Sequence, residues 1–330
     1  MKELTVGPND AGQRLDRFLG KAAPLLPSSL LQKYLRLKRV KLNGKPGKGE
    51  VRLQAGDLVT AYISDEFFEK PTDENAYRKV ATPRLSIVYE DDNVLLADKV
   101  PGMLCHHAEG EPPERTLLAN VQAHLLLTGA WRPKEENAFT PALCNRIDRN
   151  TGGIVIAAKT AEALRVLNQK IRDHELDKRY LCAVLGRPDP PEGTLKGFLF
   201  KDEKKNRVYV HKDPVPGGRT AVTHYRVLCS RDGLSLTECR LETGRTHQIR
   251  AQMADAGWPL LGDGKYGGKA AQSGGEMKQA LYSYRLTFDF TTDAGVLSYL
   301  QGRTFTVPRV EFAEKYFPGY EKALPDAAGH

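Results

Sequence analysis

Short strand-like segments dominate the chain between residues 85 and 290, and helical segments interrupt them only irregularly. The apolar run IVIAAK at 154–159 has the length of a buried strand, and YLCAVLG, VTHYRVLC and LSLTECRL follow as further strand-like segments. Thr160 is placed to cap a helix, AEALRVLNQKIRDHE, whose apolar residues fall on one face. Because a doubly wound fold needs regular alternation of strands and helices, this pattern predicts an α+β fold with a mixed, mostly antiparallel sheet.

The chain as a whole is basic. Its 330 residues include 49 Lys and Arg against 41 Asp and Glu, a formal net charge of +8. Such a balance fits an RNA or DNA partner. Five cysteines form no C-x-x-C pair, which favours reduced thiols in a cytoplasmic protein over a zinc site or a disulfide framework. We expect no signal peptide and no membrane span, since no apolar stretch has the required length.

Several catalytic motifs are missing from the sequence. It contains no G-x-x-x-x-G-K-[ST], H-E-x-x-H or G-x-S-x-G, and no G-x-G-x-x-G that follows a strand. His106 and His107 have no second pair of ligands nearby, so we expect a packing or surface role for them. The sequence therefore predicts neither a metal site nor a nucleotide cofactor site.

Residues 1–65 are predicted to form a small separate module. AGQRLDRFLGKAA has helical spacing, and a second helix, LLQKYLRLK, follows Ser28-Ser29, which we expect to cap it. The Asn43-Gly44 pair then predicts a hairpin turn between short strands. Residues 66–84 are polar and contain two prolines, which predicts a linker. The main domain is expected over 85–320, with a loose tail at 321–330.

The charge of this module is one-signed along its second helix and the following turn. Glu50 is the single acid between Lys33 and Arg52. A solvated helix face usually mixes signs, so this stripe predicts contacts with RNA phosphates. Its eight basic residues are Lys33, Arg36, Lys38, Arg39, Lys41, Lys45, Lys48 and Arg52.

The segment NRIDRNTGG at 145–153 places a lone carboxylate between two arginines. Positive charge from Arg146 and Arg149 favours the ionised form of Asp148, which can then act as nucleophile or base. The Gly152-Gly153 pair allows a sharp turn into the IVIAAK strand. The alternative is an Asp that caps a turn between solvated arginines, and this segment alone leaves the two interpretations open.

Two further segments carry candidate site residues. LETGRTHQIR at 241–250 predicts a turn followed by a helix that starts near Thr246. A buried Arg250 needs a carboxylate partner, for which Asp148 is a candidate, whereas the alternative is that Arg245 and Arg250 bind phosphates. Tyr180, at the start of a strand, is either a core residue or a half-exposed ring that stacks on a flipped base.

Three ordered motifs give the chain a resemblance to a known family. RIDRNTGG, Lys178-Arg179-Tyr180 and TGRTHQIR, followed by AGWPLLGDGKYG, resemble the motifs of RluA-type pseudouridine synthases, and YEDDNVLLADKVPGM resembles a further family segment. The stretches GQRLDRFL, SSLLQKYLRLKRVKLNG and AGDLV resemble an S4-like RNA-binding domain. The resemblance covers about residues 10–290 and implies a pseudouridine synthase catalytic domain behind an S4-like N-terminal domain.

Carried over to this chain, the resemblance implies roles for individual residues. Asp148 is the nucleophile, Tyr180 stacks on the base and is a candidate for proton transfer, and Arg250 pairs with Asp148. Arg146 inserts where the uridine leaves its stack, and Ile249 lines the base pocket. Further RNA contacts are expected from Arg149, from Arg245 and from the basic stripe. The sequence departs from the family pattern at four positions, which affect the expected target more than the reaction: Val100, Asn145, Ile147 and Gly152.

The implied activity is the isomerisation of uridine to pseudouridine in RNA, without a cofactor. Large-subunit ribosomal RNA is the expected target, with transfer RNA as the alternative, and the enzyme is expected to be a cytoplasmic monomer. Two rival functions are a non-catalytic RNA-binding or ribosome-assembly protein and a glycosidase-like hydrolase. The hydrolase would need a second catalytic acid, and the motifs contain none besides Asp148.

Overall fold

A four-stranded antiparallel sheet with two helices forms the N-terminal unit. The computed structural model describes residues 1–69, 72–271 and 278–325. The sheet has the strand order β1-β4-β2-β3. In chain order the elements are β1 (Lys2–Thr5), α1 (Leu15–Ala22), α2 (Ser28–Arg36), β2 (Val40–Leu42), β3 (Lys45–Pro46) and β4 (Leu58–Ala61).

Both predicted helices of this unit are present, but the predicted cap of α2 is wrong. Leu31 and Leu35 of α2 are buried together with Phe18 of α1 in one hydrophobic cluster. Ser28 is already the first helical residue, Pro27 holds the cap position, and no side chain makes a capping hydrogen bond there. A capping hydrogen bond comes from the side chain of the residue that precedes the helix, and here that residue is Pro27. Ser28-Ser29 therefore does not cap α2.

The second unit contains an eleven-stranded sheet, and its α+β architecture confirms the predicted fold class. Its strands follow the order β11-β10-β12-β13-β9-β14-β8-β6-β5, with β15 on β14 and β7 on β8. Among the described residues, β14 and β8 form the single parallel pair. The elements are β5 (Ser86–Glu90), β6 (Val94–Lys99), α3 (Leu117–Leu127), β7 (Ala142–Leu143), β8 (Gly152–Ala158), α4 (Ala161–Arg172), β9 (Leu176–Leu185), β10 (Glu192–Asp202), β11 (Arg207–His211), β12 (Arg219–Arg231), β13 (Leu234–Leu241), α5 (Gln248–Asp255), α6 (Gly268–Ala271), β14 (Leu281–Phe288), β15 (Thr304–Thr306) and α7 (Glu311–Tyr316).

The central strand β8 is buried on both faces, which explains its continuous apolar sequence. Ile154 and Ile156 belong to a hydrophobic cluster that includes Leu167 of α4. Val155, on the other face, belongs to a second cluster that includes Leu125 of α3. A strand with helices on both sides has no solvent face, so its residues do not alternate between apolar and polar.

Two segments that were predicted to be loose are partly ordered. Residues Thr72–Lys79 of the predicted linker form a 3-10 helix, and the buried Tyr77 packs edge-on against Trp131 with ring centroids 5.0 Å apart. A 3-10 helix, Tyr320–Ala323, starts at the last residue of the predicted main domain and continues into the predicted tail, and the carbonyl of Pro325 accepts a hydrogen bond of 3.1 Å from Arg285. Linker residues 70–71 and tail residues 326–330 lie outside the described residues. Each ordered part contains a buried tyrosine, Tyr77 or Tyr320. A prediction that rests on the polar composition of a segment does not take such a residue into account.

The N-terminal unit contacts the second unit through a buried carboxylate. Asp10 is fully buried, and its oxygens accept hydrogen bonds from the Asn137 side chain at 3.0 Å and from the backbone of Ala138 at 3.2 Å. The neighbouring Asn9 accepts from the backbone of Ala161 at 3.2 Å. These contacts join the two units side by side. No helix among the described residues is long and apolar enough to cross a membrane.

Candidate active site

A pocket of about 510 Å³ opens where two loops meet above the sheet. One loop carries Asp148 and leads into β8, the other carries His247 and leads into α5, and Tyr180 of β9 lies between them. The structure therefore brings residues of all three candidate sequence segments into one cavity.

Asp148 and Arg250 form the ion pair that was expected from the sequence. The Arg250 Nη1 atom lies 2.8 Å from Asp148 Oδ2. The same guanidinium donates two hydrogen bonds to Asp263, from Nε at 2.7 Å and from Nη2 at 3.0 Å. Burial works against the charge of Arg250, but the Asp263 carboxylate and then Asp148 outweigh it, so the pKa of Arg250 is raised. A buried guanidinium held by two carboxylates is a fixed positive charge beside Asp148.

Asp263 is the more deeply buried of the two carboxylates on Arg250. Its side chain is 1% exposed, whereas that of Asp148 is 24% exposed. Asp263 also accepts hydrogen bonds from the backbones of Lys265 and Tyr266. Asp148 accepts side-chain hydrogen bonds at Oδ2 only, among the described residues. Asp263 therefore anchors the arginine, whereas Asp148 lines the pocket with no side-chain hydrogen bond at Oδ1 within the described part of the chain.

His247 faces the same carboxylate from the end of the second loop. Its φ of 53° places it in the left-handed region, so α5 begins at Gln248 and not near Thr246 as the sequence predicted. Its Nε2 atom lies 3.8 Å from Asp148 Oδ2, and its Nδ1 atom lies 2.8 Å from the hydroxyl of Tyr266. Burial, opposed by Asp148 and assisted by Arg250, lowers the pKa of His247 to about 4. The imidazole is therefore neutral at physiological pH.

Apolar side chains and Tyr180 form the floor of the pocket. Tyr180 is 8% exposed, so of the two alternatives left open by the sequence the structure agrees with the core residue and not with the half-exposed ring. Burial raises its pKa to about 12, which keeps the phenol protonated. Ile249 and Leu281 line the same floor. Burial also lowers the pKa of Lys178, which lies beside Tyr180 in the pocket wall. A flat apolar floor with one carboxylate at its edge suits a planar ring held against Asp148.

The loop before β8 is shaped by glycine and by a buried lysine. Gly153 has a φ of +111°, and a Cβ atom there would lie 2.1 Å from the backbone oxygen of Ser283. Lys99, which is 1% exposed, donates hydrogen bonds to the carbonyls of Met103 at 2.8 Å and of Arg149 at 2.9 Å. Burial lowers the pKa of Lys99 to about 8. Only glycine fits at position 153, where β8 approaches β14 closely. The hydrogen bonds of Lys99 connect the end of β6 to the Asp148 loop.

The departure at Asn145 has a structural role. Its side-chain oxygen accepts a hydrogen bond of 2.8 Å from the backbone of Ile156. Asn145 therefore fixes the start of the Asp148 loop against β8.

The arginines beside Asp148 in sequence do not both approach it in space. Arg149 forms an ion pair of 2.6 Å with Glu111 and donates to the carbonyl of Gly102, so the expected arginine pair around Asp148 is wrong. Arg146 is exposed and lines the pocket mouth. Arg245 also lines it and donates to the carbonyl of Thr220 at 3.1 Å. The charge that touches Asp148 comes from Arg250, because side chains that are adjacent to Asp148 along an irregular loop point in different directions.

The basic stripe lies on α2, on β2 and on the turns around them. Arg39 lies over the ring of Tyr34 at 5.2 Å and Lys41 over the ring of Tyr62 at 5.3 Å. Across the described part of the chain, no ion pair neutralises the five predicted RNA-binding residues, which are Lys33, Arg36, Lys38, Arg39 and Lys41. A one-signed surface with interleaved aromatic rings is typical of nucleic-acid-binding proteins.

Three residues next to Asp148 were not singled out from the sequence, namely His247, Asp263 and Tyr266. His247 lies inside the TGRTHQIR motif, and Asp263 and Tyr266 lie in the GDGKYG segment. Both segments were recognised as motifs, and that was the signal that could have identified these residues. No group of three or more His, Cys, Asp or Glu residues within 1–69, 72–271 and 278–325 could hold a metal ion.

Comparisons with known proteins are consistent with this geometry. The family model described as RNA pseudouridylate synthase matches residues 93–255. The chain is 32% identical to an uncharacterised RNA pseudouridine synthase, YlyB, of Bacillus subtilis (strain 168), over 87% of this chain and 89% of that protein. It is also 32% identical to the ribosomal large subunit pseudouridine synthase D of Neisseria meningitidis serogroup A / serotype 4A (strain DSM 15465 / Z2491), over 90% of this chain and 77% of the relative.

A solved structure supports the fold. Human RNA Pseudouridylate Synthase Domain Containing 4 aligns with 73% of this chain and 94% of its own, with a TM-score of 0.53 and 18% identity. At that identity the similarity concerns the fold of the larger unit and not its substrate.

Proposed function

This chain belongs to the RluA-type RNA pseudouridine synthases, which isomerise uridine to pseudouridine in RNA, and we propose that Asp148 is its catalytic carboxylate. The observation that carries the proposal is the ion pair of Asp148 with the buried Arg250 at the edge of an apolar-floored pocket. A carboxylate with one oxygen fixed and the other open is arranged to attack or to remove a proton.

The chemistry needs no partner other than the RNA. The bond between N1 and C1′ of the uridine breaks, the uracil turns, and a bond between C5 and C1′ forms. The hydrogen on C5 leaves as a proton and N1 takes up a proton, so the atoms balance without a cofactor. Asp148 assists these steps through Oδ1, while Arg250 holds Oδ2 in place.

The pocket floor would hold the detached base during its rotation. We assign Tyr180 to stacking against the uracil and Ile249 to the apolar lining around it. The phenol of Tyr180 stays protonated because burial raises its pKa to about 12, which favours stacking over a role as general base. Contact with the apolar side chains of the pocket keeps the free uracil in place until the new bond forms.

The pocket mouth offers positive charge to the RNA backbone. The uridine must leave its stack, at a cost of a few kcal/mol that flanking contacts offset. We assign Arg146 to the gap that the uridine leaves, and Arg245 and the half-exposed Arg149 to nearby phosphates. The N-terminal unit, as an S4-like domain over residues 1–65, would bind more distant phosphates through its basic stripe.

Large-subunit ribosomal RNA is the proposed target. The support is that relatives in Neisseria meningitidis and Vibrio cholerae are named ribosomal large subunit pseudouridine synthases. Such a target also fits a cytoplasmic enzyme that acts as a monomer. Transfer RNA is the alternative substrate, and the experiment below distinguishes the two.

The test compares Asp148→Asn with a matched control in a strain that lacks the gene. Pseudouridines are mapped in ribosomal and transfer RNA after complementation with the wild type, with Asp148→Asn or with Asp213→Asn, which changes an exposed aspartate of the same unit. We expect the wild type and Asp213→Asn to restore one or more large-subunit sites, and Asp148→Asn to restore none.

The other outcomes identify the rivals. Sites restored by Asp148→Asn would show that this residue is not the catalyst. Unchanged modification in the deletion strain would favour a non-catalytic RNA-binding protein, and release of free uracil from RNA by the purified wild type would favour a hydrolase.

A further inference from the structure

A chain of hydrogen bonds leads from the backbone through Tyr266 to His247 and favours one of its two neutral tautomers. The backbone N–H of Val208 donates to the hydroxyl of Tyr266 at 3.0 Å. The hydroxyl hydrogen of Tyr266 is then free to donate to His247 Nδ1, which lies 2.8 Å away. An Nδ1 atom that accepts leaves the proton of the neutral imidazole on Nε2. That Nε2 atom is the one that faces Asp148 Oδ2.

We propose that Tyr266 is a positioning residue that holds His247 in this single tautomer, so that a neutral N–H group faces Asp148 during the reaction. The inference rests on the proposed role of Asp148. With Arg250 on one side of Oδ2 and His247 Nε2 on the other, the carboxylate is oriented with Oδ1 towards the substrate. The distance of 3.8 Å is longer than a hydrogen bond, and catalytic contacts of this kind tighten when substrate fills the site.

The charges around His247 favour a neutral donor over an imidazolium. Asp148 faces it from the loop before β8, Arg250 from α5, and Lys265 and Asp263 from the turn after α5. Arg207 of β11 lies behind it, over the ring of Tyr266 at 5.1 Å. Burial and the nearby cations disfavour a second proton on the ring, so the imidazole carries one proton only. A second full positive charge on Oδ2 would further weaken Asp148 as a nucleophile or base, and a neutral N–H avoids this.

Two substitutions of His247 separate its two nitrogens. The amide of Gln reaches about as far as Nε2, and the amide of Asn reaches only about as far as Nδ1. The backbone at 247 is left-handed, with a φ of 53°, and asparagine tolerates this region better than glutamine. Backbone preference therefore favours His247→Asn, whereas the proposal favours His247→Gln.

The first test measures kcat and KM of the full-length variants on large-subunit ribosomal RNA from the deletion strain. We expect His247→Gln to retain most of the wild-type kcat and His247→Asn to lose about 100-fold, as expected when a reacting group is misplaced by about 1 Å. Thermal unfolding of each variant checks that both fold. Equal activity of the two folded variants, or higher activity of the Asn variant, would overturn the proposal.

The second test follows the tautomer directly. Two-bond 1H–15N correlation spectra of the full-length protein, assigned by loss of one ring in His247→Gln, should show His247 neutral and protonated on Nε2 at pH 7. Tyr266→Phe removes the donor to Nδ1, which stabilises the neutral ring, so the preference for Nε2–H should weaken and the pKa of His247 should rise. An Nδ1–H tautomer or an imidazolium in the wild type at pH 7 would contradict the proposal.

The proposal also predicts that Tyr266→Phe shifts the pH dependence of kcat/KM. A histidine with a pKa of about 4 stays neutral through pH 6, so the wild type should show no acid limb from His247 above about pH 5. In Tyr266→Phe the limb should move to higher pH, since the imidazolium forms more readily without the donor to Nδ1. Superimposable profiles would overturn the proposal. The spectra report on the Tyr266–His247 contact even if Asp148→Asn proves active, so the two proposals fail separately.

Discussion

Asp148 and Arg250 show how far reasoning on single residues reaches. They lie 102 positions apart, yet the rule that a buried arginine needs a carboxylate correctly paired them. The same rule missed Asp263 because it assigned one partner to a guanidinium that has donors for two. A separate expectation placed Arg149 against Asp148 because the two are adjacent in sequence, but Arg149 pairs with Glu111, since neighbours in a loop do not share a direction. Residue type thus predicts that a partner exists and leaves the number and direction of partners to the fold.

Gly152 departs from the family pattern, in which serine is common, and the structure explains the glycine. A Cβ atom at this position would lie 2.2 Å from the ring of Tyr282, its partner in the parallel pair of β8 and β14. The hydroxyl of Tyr282 is fixed by Asp98 at 2.7 Å, so the ring has no free path away. The glycine is therefore matched to the tyrosine on the neighbouring strand.

We predict that Gly152→Ser destabilises the protein by about 1–3 kcal/mol, as expected for overpacking, and lowers activity because Asp148 lies in the same loop. In a Tyr282→Leu background the same serine should cost less, since the ring is gone. Urea unfolding of the four proteins of this cycle measures the coupling. Gly20→Ser is the control, because no atom lies within 4 Å of a Cβ there. Additive costs within about 0.5 kcal/mol would refute the matched pair.

At the scale of elements, periodicity predicted the amphipathic helix α4 and overlooked α3. Helix α4 has apolar residues on one face and polar residues on the other. Helix α3, with the sequence LLANVQAHLLL, has buried residues on several faces. A helix without a solvent face has no polar stripe, so the pattern that identifies helices is missing. Strand β8 was predicted because a short continuous apolar run is itself the pattern of a strand that is buried on both faces.

The two helix caps that were predicted from sequence had different outcomes: the cap at Thr160 is present, and the cap at Ser28-Ser29 is wrong. The hydroxyl of Thr160 accepts from the backbone of Ala163 at 3.1 Å, whereas Ser28 makes no capping bond. Thr160→Ala should therefore cost about 1 kcal/mol of unfolding free energy, and Ser28→Ala should be close to neutral. Urea unfolding at one pH measures both. If both variants lost the same unfolding free energy, the capping hydrogen bond of Thr160 would not be the cause of the loss.

For the whole molecule, the relation between the two units was not predictable from sequence. Their boundaries were predicted from composition, but the contact depends on Asp10, an acid in a polar stretch that gives no sign of burial. The linker was predicted as polar chain, and its Tyr77 packs into the larger unit. The contacts of Asp10 and Tyr77 therefore fix the basic stripe relative to the pocket, and under the proposed function this spacing sets which RNA shapes reach both surfaces at once.

Removal of the Asp10 carboxylate should loosen this arrangement without unfolding either unit. Asp10→Ala leaves the donors of Asn137 and Ala138 without their partner, at a cost of about 1–3 kcal/mol. We expect a larger radius of gyration in small-angle X-ray scattering, an unchanged far-UV circular dichroism spectrum and weaker binding of long ribosomal RNA fragments. The control is Asp57→Ala, which breaks contacts to Asn43 and Gln54 inside the N-terminal unit and should leave the scattering unchanged. If both variants scatter like the wild type, Asp10 does not hold the units together, and the two surfaces contact RNA independently.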